Sequence, residues 1–220
     1  MLLRLDPQIL ILLLPALVFS LCVHEFSHGI VAYINGDDTA YKEGRLTLNP
    51  MKHLDPTGTI MLLFIGFGYA KPVPVNPYKL KNPNIDIIKV AAAGPLSNLV
   101  LAFLGVFIMY FTYSIMPSLA SQSFKLFFHI FIQINIFLAL FNLLPFFPLD
   151  GGQIFGNIIS KYNHELAQNL NTYGPRILLG LILFGIITGY SIIGIIIEPL
   201  YVLIRTIFDT IVLFVLKIFI

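Results

Sequence analysis

Long apolar runs separated by short polar stretches dominate this chain, and the lengths of those runs decide how it reads. About 20 consecutive apolar residues carry a helix across the ~30 Å hydrocarbon core of a bilayer. Residues 8–34 meet that requirement first. The polar stretch 36–59 follows, broken by the turn signals Asn35-Gly36, Asn49-Pro50 and Asp55-Pro56. Inside it, Arg45-Leu46-Thr47-Leu48 alternates in polarity and predicts a short strand. The run 60–70 holds two glycines, is too short to cross and predicts a re-entrant segment. The proline-spaced KPVPVNPYKLKNP after it is excluded from a helix interior.

Residues 87–113 and 124–144 predict two further spans, the second stopping at the breaker NLLPFFPLDGG. A polar segment occupies 161–172. Apolar runs over 177–197 and 200–220, hinged at Glu198-Pro199, predict two more spans. The expected fold is therefore an all-α membrane protein of about five to six transmembrane helices. A short strand and re-entrant segment are expected between the first two certain spans.

Composition agrees with that pattern. The 220 residues are 57% hydrophobic and 11% charged, with a mean hydropathy of +0.87, whereas soluble domains run near 45–50% and 25%. A formal net charge of +2 without a basic run gives no reason to expect nucleic acid. The single cysteine, Cys22, excludes an internal disulfide and a cysteine-based zinc cluster. The opening MLLRLDPQILILLLPALVFSLCV imitates a signal peptide but lacks a small-x-small cleavage site before His24, so a retained first span is expected.

Basic residues set the orientation. Lys42, Arg45, Lys52, Lys71, Lys79, Lys81 and Lys89 all lie between the first two certain spans, which places that region in the cytoplasm. Threading the chain onward puts the turn at 114–123 outside and returns LDGG to the cytoplasmic side. The ends of the first and third spans then approach one membrane face.

At the end of the first span stands His24-Glu25-Phe26-Ser27-His28, an H-E-x-x-H motif. On a helix, positions i and i+4 share a face, so both imidazoles can address one ion with Glu25 beside it as a general base. At ~1.5 Å per residue, His24 lies roughly 20–25 Å along a helix that starts near the outer surface. Ionisable residues at such depth are costly and usually functional. A pair of packing histidines is the bland alternative, but packing does not call for a glutamate at that offset.

Catalytic zinc takes three protein ligands and keeps one position open. His53, His129, His164 and the carboxylates are candidates for the third. Asp150 is best placed, because it follows a helix broken by Pro145 and Pro148 and precedes Gly151-Gly152, which permit a sharp turn.

With HEFSH at 24–28, GPLSN at 94–98 and NLLPFFPLDGG at 142–152, the chain resembles the site-2 protease family of intramembrane zinc metalloproteases over roughly residues 8–160. The resemblance implies that His24, His28 and Asp150 bind one zinc per chain and that Glu25 is the base. It implies that Asn142 positions or polarises the scissile carbonyl. It also implies a multi-pass protein of the cell membrane, with its site toward the cytoplasm. Single-span membrane proteins are the implied substrates and the lipid bilayer a constant partner. Residues 1–220 are expected to form one integral membrane protease domain, with a core at 8–160, C-terminal helices at 174–220 and no PDZ-like or CBS-like stretch. A substrate helix must unwind to be cut, and its freed backbone groups then need partners. Either 44–48 or 72–77 is expected to offer an edge for strand addition.

Two rival readings stand beside this one. One is a transporter or ion conduit using intramembrane His, Asp and Glu, which would need polar residues along its whole length. The other is an inactive relative that keeps zinc as a scaffold. Among weaker features, Gly94-Pro95 reads equally as a helix kink with close contact and as part of the site, and Asn98 as a partner to a zinc ligand. His53 reads as a loop-packing residue, His129 as a satisfied buried histidine and His164 as solvated. Cys22 reads as a small buried hydrophobe, and Arg205 with Asp209 as an intramembrane pair.

Overall fold

The computed structural model describes residues 6–65 and 68–219. Helix α1 (Pro7–Ile34) opens on Asp6, whose carboxylate caps Gln8 N at 2.8 Å, with Pro7 in the first turn. Then come the short α2 (Thr39–Lys42), α3 (Pro56–Ile65), α4 (Pro83–Ile115) and α5 (Gln122–Asn142). The chain closes with α6 (Asp150–Ser160), α7 (His164–Thr188) and α8 (Ile192–Phe219).

Helix α4 is the central element, packed against α1, α5, α6 and α8. Small residues line these contacts. Ala16, Ala32, Ala91, Ala102 and Ala139 are essentially inaccessible, so the backbones approach closely as helices in lipid do. Ala102, Val106 and Met109 of α4 form the main core with Ile132, Ile136, Val212 and Leu216. A second cluster joins Leu144, Leu178, Ile193 and Ile197. The start of α8 lies in the second cluster and its end in the first, where it packs against α4. Phe103 and Phe208 meet edge-on along this contact, 5.4 Å between centroids.

Four helices, α1, α4, α5 and α7, are long and apolar enough to cross a membrane among the described residues, and the chain is a multi-pass membrane protein. Outward residues such as Ile11, Ile108, Ile195 and Phe214 present the apolar surface that lipid requires. The expected count of five to six is therefore established only in part. Helix α8 has 28 residues but carries Glu198, Arg205, Asp209 and Lys217 along its length.

Three expectations need correction. No strand forms over 44–48; among the described residues pairing is confined to an isolated antiparallel bridge between Leu54 and Ala70. Gly44 takes φ +63°, Leu46 and Thr47 lie in a bend, and the polarity alternation serves separate side-chain contacts instead of a ladder. The expected hinge at Glu198-Pro199 lies inside α8. The break falls earlier, where Gly189 at φ +77° ends α7 and Ser191 Oγ accepts from Gly194 N at 2.9 Å. Finally, His129 is exposed on α5 instead of buried.

The two flanks of α3 meet at one place. Besides the Leu54–Ala70 bridge, Lys71 N donates to His53 O at 2.8 Å, which closes the excursion through α3. Residues 66–67 of the run 60–70, 1–5 of the signal-like opening and 220 of the last expected span lie outside the described residues.

Candidate metal centre

The i, i+4 spacing on α1 brings His24 and His28 together with ring centroids 4.7 Å apart and planes at 83°. Both are buried, and their Nε2 atoms lie 3.0 Å apart. Each ring is held from behind. His28 Nδ1 lies 2.7 Å from the Val90 carbonyl oxygen, and His24 Nδ1 lies 2.6 Å from Asn98 Oδ1. Both acceptors come from α4, so the packing of α4 on α1 sets the ring orientations. With Nδ1 donating, each neutral imidazole turns an Nε2 lone pair toward the other.

Asp150 completes the cluster from a distant part of the chain. As the first residue of α6, it places Oδ2 3.2 Å from His24 Nε2 and Oδ1 3.3 Å from His28 Nε2. The glycines after it act through close approach and not, as expected, through a sharp turn. Neither has positive φ, and a Cβ on Gly151 or Gly152 would collide with the backbone of 143–147, which folds back over the first turn of α6.

Three acceptor atoms from His24, His28 and Asp150 thus lie within 4.8 Å of one another. Asp150 Oδ2 is buried and has no hydrogen-bond partner. Lone pairs facing each other beside a buried carboxylate repel unless a cation sits among them, so this donor set fits a metal ion. The space fits as well. A Cβ on Gly94 would fall 2.5 Å from both Nε2 atoms, so only glycine keeps that side of the cluster open.

Glu25 is buried beside the pair, and its Oε2 accepts from Val73 N at 2.8 Å. The segment 71–76 that supplies this amide is pinned at both ends. Buried Arg45 donates from Nη2 to Lys71 O at 2.8 Å and Pro72 O at 3.1 Å, and Asp37 Oδ2 accepts from Asn76 N at 2.6 Å.

The structure does not bring Asn142 into hydrogen bonding with the cluster; its amide donates to Leu138 O at 2.9 Å within α5. His53 is buried away from the cluster with Nε2 2.7 Å from Thr47 O, and His164 is exposed. Arg205 and Asp209 pair at 2.9 Å on α8, and Cys22 is buried. Sequence reasoning missed Asn135 and Ser20, which lie behind Asn98, and Val73 and Val90, which act through backbone atoms. A lone asparagine in the middle of a span was the one available signal for Asn135.

Residues 12–121 and 112–185 match the family described as Peptidase family M50. The chain belongs to that family. It is the site-2 protease family that the three motifs resemble, and it makes the chain a metalloendopeptidase. The chain is 48% identical to "Putative zinc metalloprotease YwhC" of Bacillus subtilis (strain 168) over 169 residues, covering 74% of this chain and 77% of that protein. It is 36% identical to "Putative zinc metalloprotease Rip2" of Mycolicibacterium smegmatis over 104 residues, 44% of this chain and 39% of that one. No solved structure matches.

Proposed function

We propose that this peptidase holds one zinc ion on His24, His28 and Asp150 and hydrolyses peptide bonds within or near the transmembrane segments of single-span membrane proteins. The observation that carries the reading is the convergence of two Nε2 lone pairs and an orphaned carboxylate oxygen around a space kept open by Gly94. Bound there, zinc supplies a Lewis acid that polarises a carbonyl and acidifies a water.

The residues of the chain do the rest. Glu25 accepts a proton from the attacking water and returns it to the leaving amine nitrogen. Val73 N–H occupies one oxygen of Glu25 and fixes the carboxylate, which leaves the other oxygen for the proton. Asn142 is assigned the donor role toward the developing oxyanion, for which its amide must exchange Leu138 O for substrate. Substrate unwound in the bilayer needs backbone partners, and 72–77 is the segment proposed to supply them, since 44–48 forms no strand.

The depth of the site supports an intramembrane reaction. His24 lies 17 residues beyond Pro7, roughly 25 Å along α1 at ~1.5 Å per residue. The basic residues of 42–89 support a cell-membrane protein with the site toward the cytoplasm. Residues 1–220 are read as one protease domain.

The test compares wild type with Glu25→Gln on a single-span substrate in lipid vesicles. Loss of a general base costs at least about 10²–10⁴ in rate, so the variant should retain zinc and lose cleavage. Equal cleavage by both proteins would remove Glu25 from the reaction.

A further inference from the structure

Behind the candidate metal centre lies a buried polar chain that crosses three helices. Ser20 of α1, Asn98 of α4 and Asn135 of α5 each have zero accessible surface. They sit beside wholly apolar neighbours such as Ile132 and Ile136, where an unpaired amide is costly. The direction of every hydrogen bond among them is decided by backbone carbonyls, which can only accept.

Asn135 Nδ2 lies 2.8 Å from Phe131 O, so its amino group faces that carbonyl and its Oδ1 faces away. The same amino group donates to Ser20 Oγ at 2.8 Å, and Ser20 in turn donates to Ala16 O at 2.7 Å. Asn135 Oδ1 therefore meets Asn98 as an acceptor, 2.9 Å from Asn98 Nδ2. Asn98 Nδ2 has a second acceptor in Ser20 O, but at the longer distance of 3.3 Å. With its amino group held on that side, Asn98 is left with Oδ1 facing His24 Nδ1 at 2.6 Å. An amide oxygen carries no proton, so Nδ1 must, and Nε2 keeps its lone pair. Reversal of Asn98 would offer His24 Nδ1 a donor, move the ring proton to Nε2 and block ligation there.

We propose that Asn135, two hydrogen bonds away from His24, is a positioning residue that locks Asn98 and thereby the metal-binding tautomer of His24. The inference rests on the zinc reading above. Polar residues between membrane helices also serve simply to hold helices together, and the two roles differ in what they move. A helix-joining role changes the stability of the metal-free protein. A positioning role changes zinc affinity.

Zinc affinity of the full-length protein in detergent, by competition with a chromophoric chelator, separates them when combined with thermal unfolding of the metal-free form. Partners behind a metal ligand are worth about 10–100-fold in affinity. Asn135→Leu should weaken zinc binding by about tenfold, at the lower end of that range because it acts through Asn98. Asn135→Ala removes the same acceptor with a smaller side chain and should do the same if the leucine variant does not fold.

Asn98→Asp supplies the discriminating background. A carboxylate offers His24 only acceptors whichever way it turns, so adding Asn135→Leu to Asn98→Asp should change zinc affinity less than about twofold. That loss of the Asn135 effect is a coupling that mere packing does not produce. If Asn135→Leu and Asn135→Ala bind zinc as wild type does, or lose affinity equally in both backgrounds, the positioning role is overturned and the zinc reading stands. If wild type binds no zinc at all, both are overturned.

Discussion

At position 94 a single hydrogen separates the α4 backbone from both imidazole rings, since a Cβ built there falls 2.5 Å from His24 Nε2 and His28 Nε2. Real Cβ atoms do not approach that closely, so alanine must either push the rings apart or occupy the space where they meet. Elsewhere in a helix interior the same change is favourable by about 1 kcal/mol. Gly94→Ala should therefore leave the metal-free protein folded yet weaken zinc binding by at least about tenfold, the scale on which displaced ligand geometry is felt. A chelator competition checks this, with circular dichroism as the control. Unchanged affinity would mean that the ligands do not meet in front of Gly94. The residue was visible in the sequence as part of GPLSN, but the motif reads equally as a kink. The function of the glycine depends on which turn of α4 faces α1, and that register is a property of packing.

Among the elements, the segment 71–76 does more than its irregular backbone suggests. It carries the amide that holds Glu25, and Arg45 and Asp37, on either side of α2, anchor its two ends. Arg45→Gln removes two charge-assisted hydrogen bonds, worth roughly 1.5–3 kcal/mol each when buried. It should lower turnover by about tenfold through a less firmly held Glu25, a rate factor equal to ~1.4 kcal/mol. Zinc content should stay at the wild-type level. A variant with normal turnover would show that Val73 holds Glu25 without help from the segment's anchors.

This region is also where sequence and structure part. Arg45-Leu46-Thr47-Leu48 has the alternation of a strand, yet Arg45 turns inward to carbonyls 26 and 27 residues away and Thr47 O takes the His53 ring. Alternation reports which residues turn inward, not what the backbone pairs with. The α7–α8 break went unread for a related reason. Pro199 is the more conspicuous breaker, but α8 carries it as an interior proline, as membrane helices can, whereas Gly189 in the left-handed region ends α7.

On the scale of the whole molecule, the site exists only because α1, α4, α5 and α6 converge from positions spread over some 130 residues of chain. The histidine pair was legible because a helix places i and i+4 on one face regardless of the rest of the fold. Asp150 was legible through its motif and the breaker before it. Asn98 was read as a partner to a zinc ligand and lies against His24, but its links to Ser20 and Asn135 were not legible, because cross-helix contacts depend on rotations and depths that no local pattern encodes.

The central claim is that these separate helices deliver His24, His28 and Asp150 to one ion, and zinc content tests it most directly. Elemental analysis of the purified protein, beside His24→Ala, His28→Ala, Asp150→Ala and Glu25→Gln, should give one zinc per chain for wild type and Glu25→Gln. The three ligand variants should lose it under the same dialysis. Full zinc retention by Asp150→Ala would contradict the account.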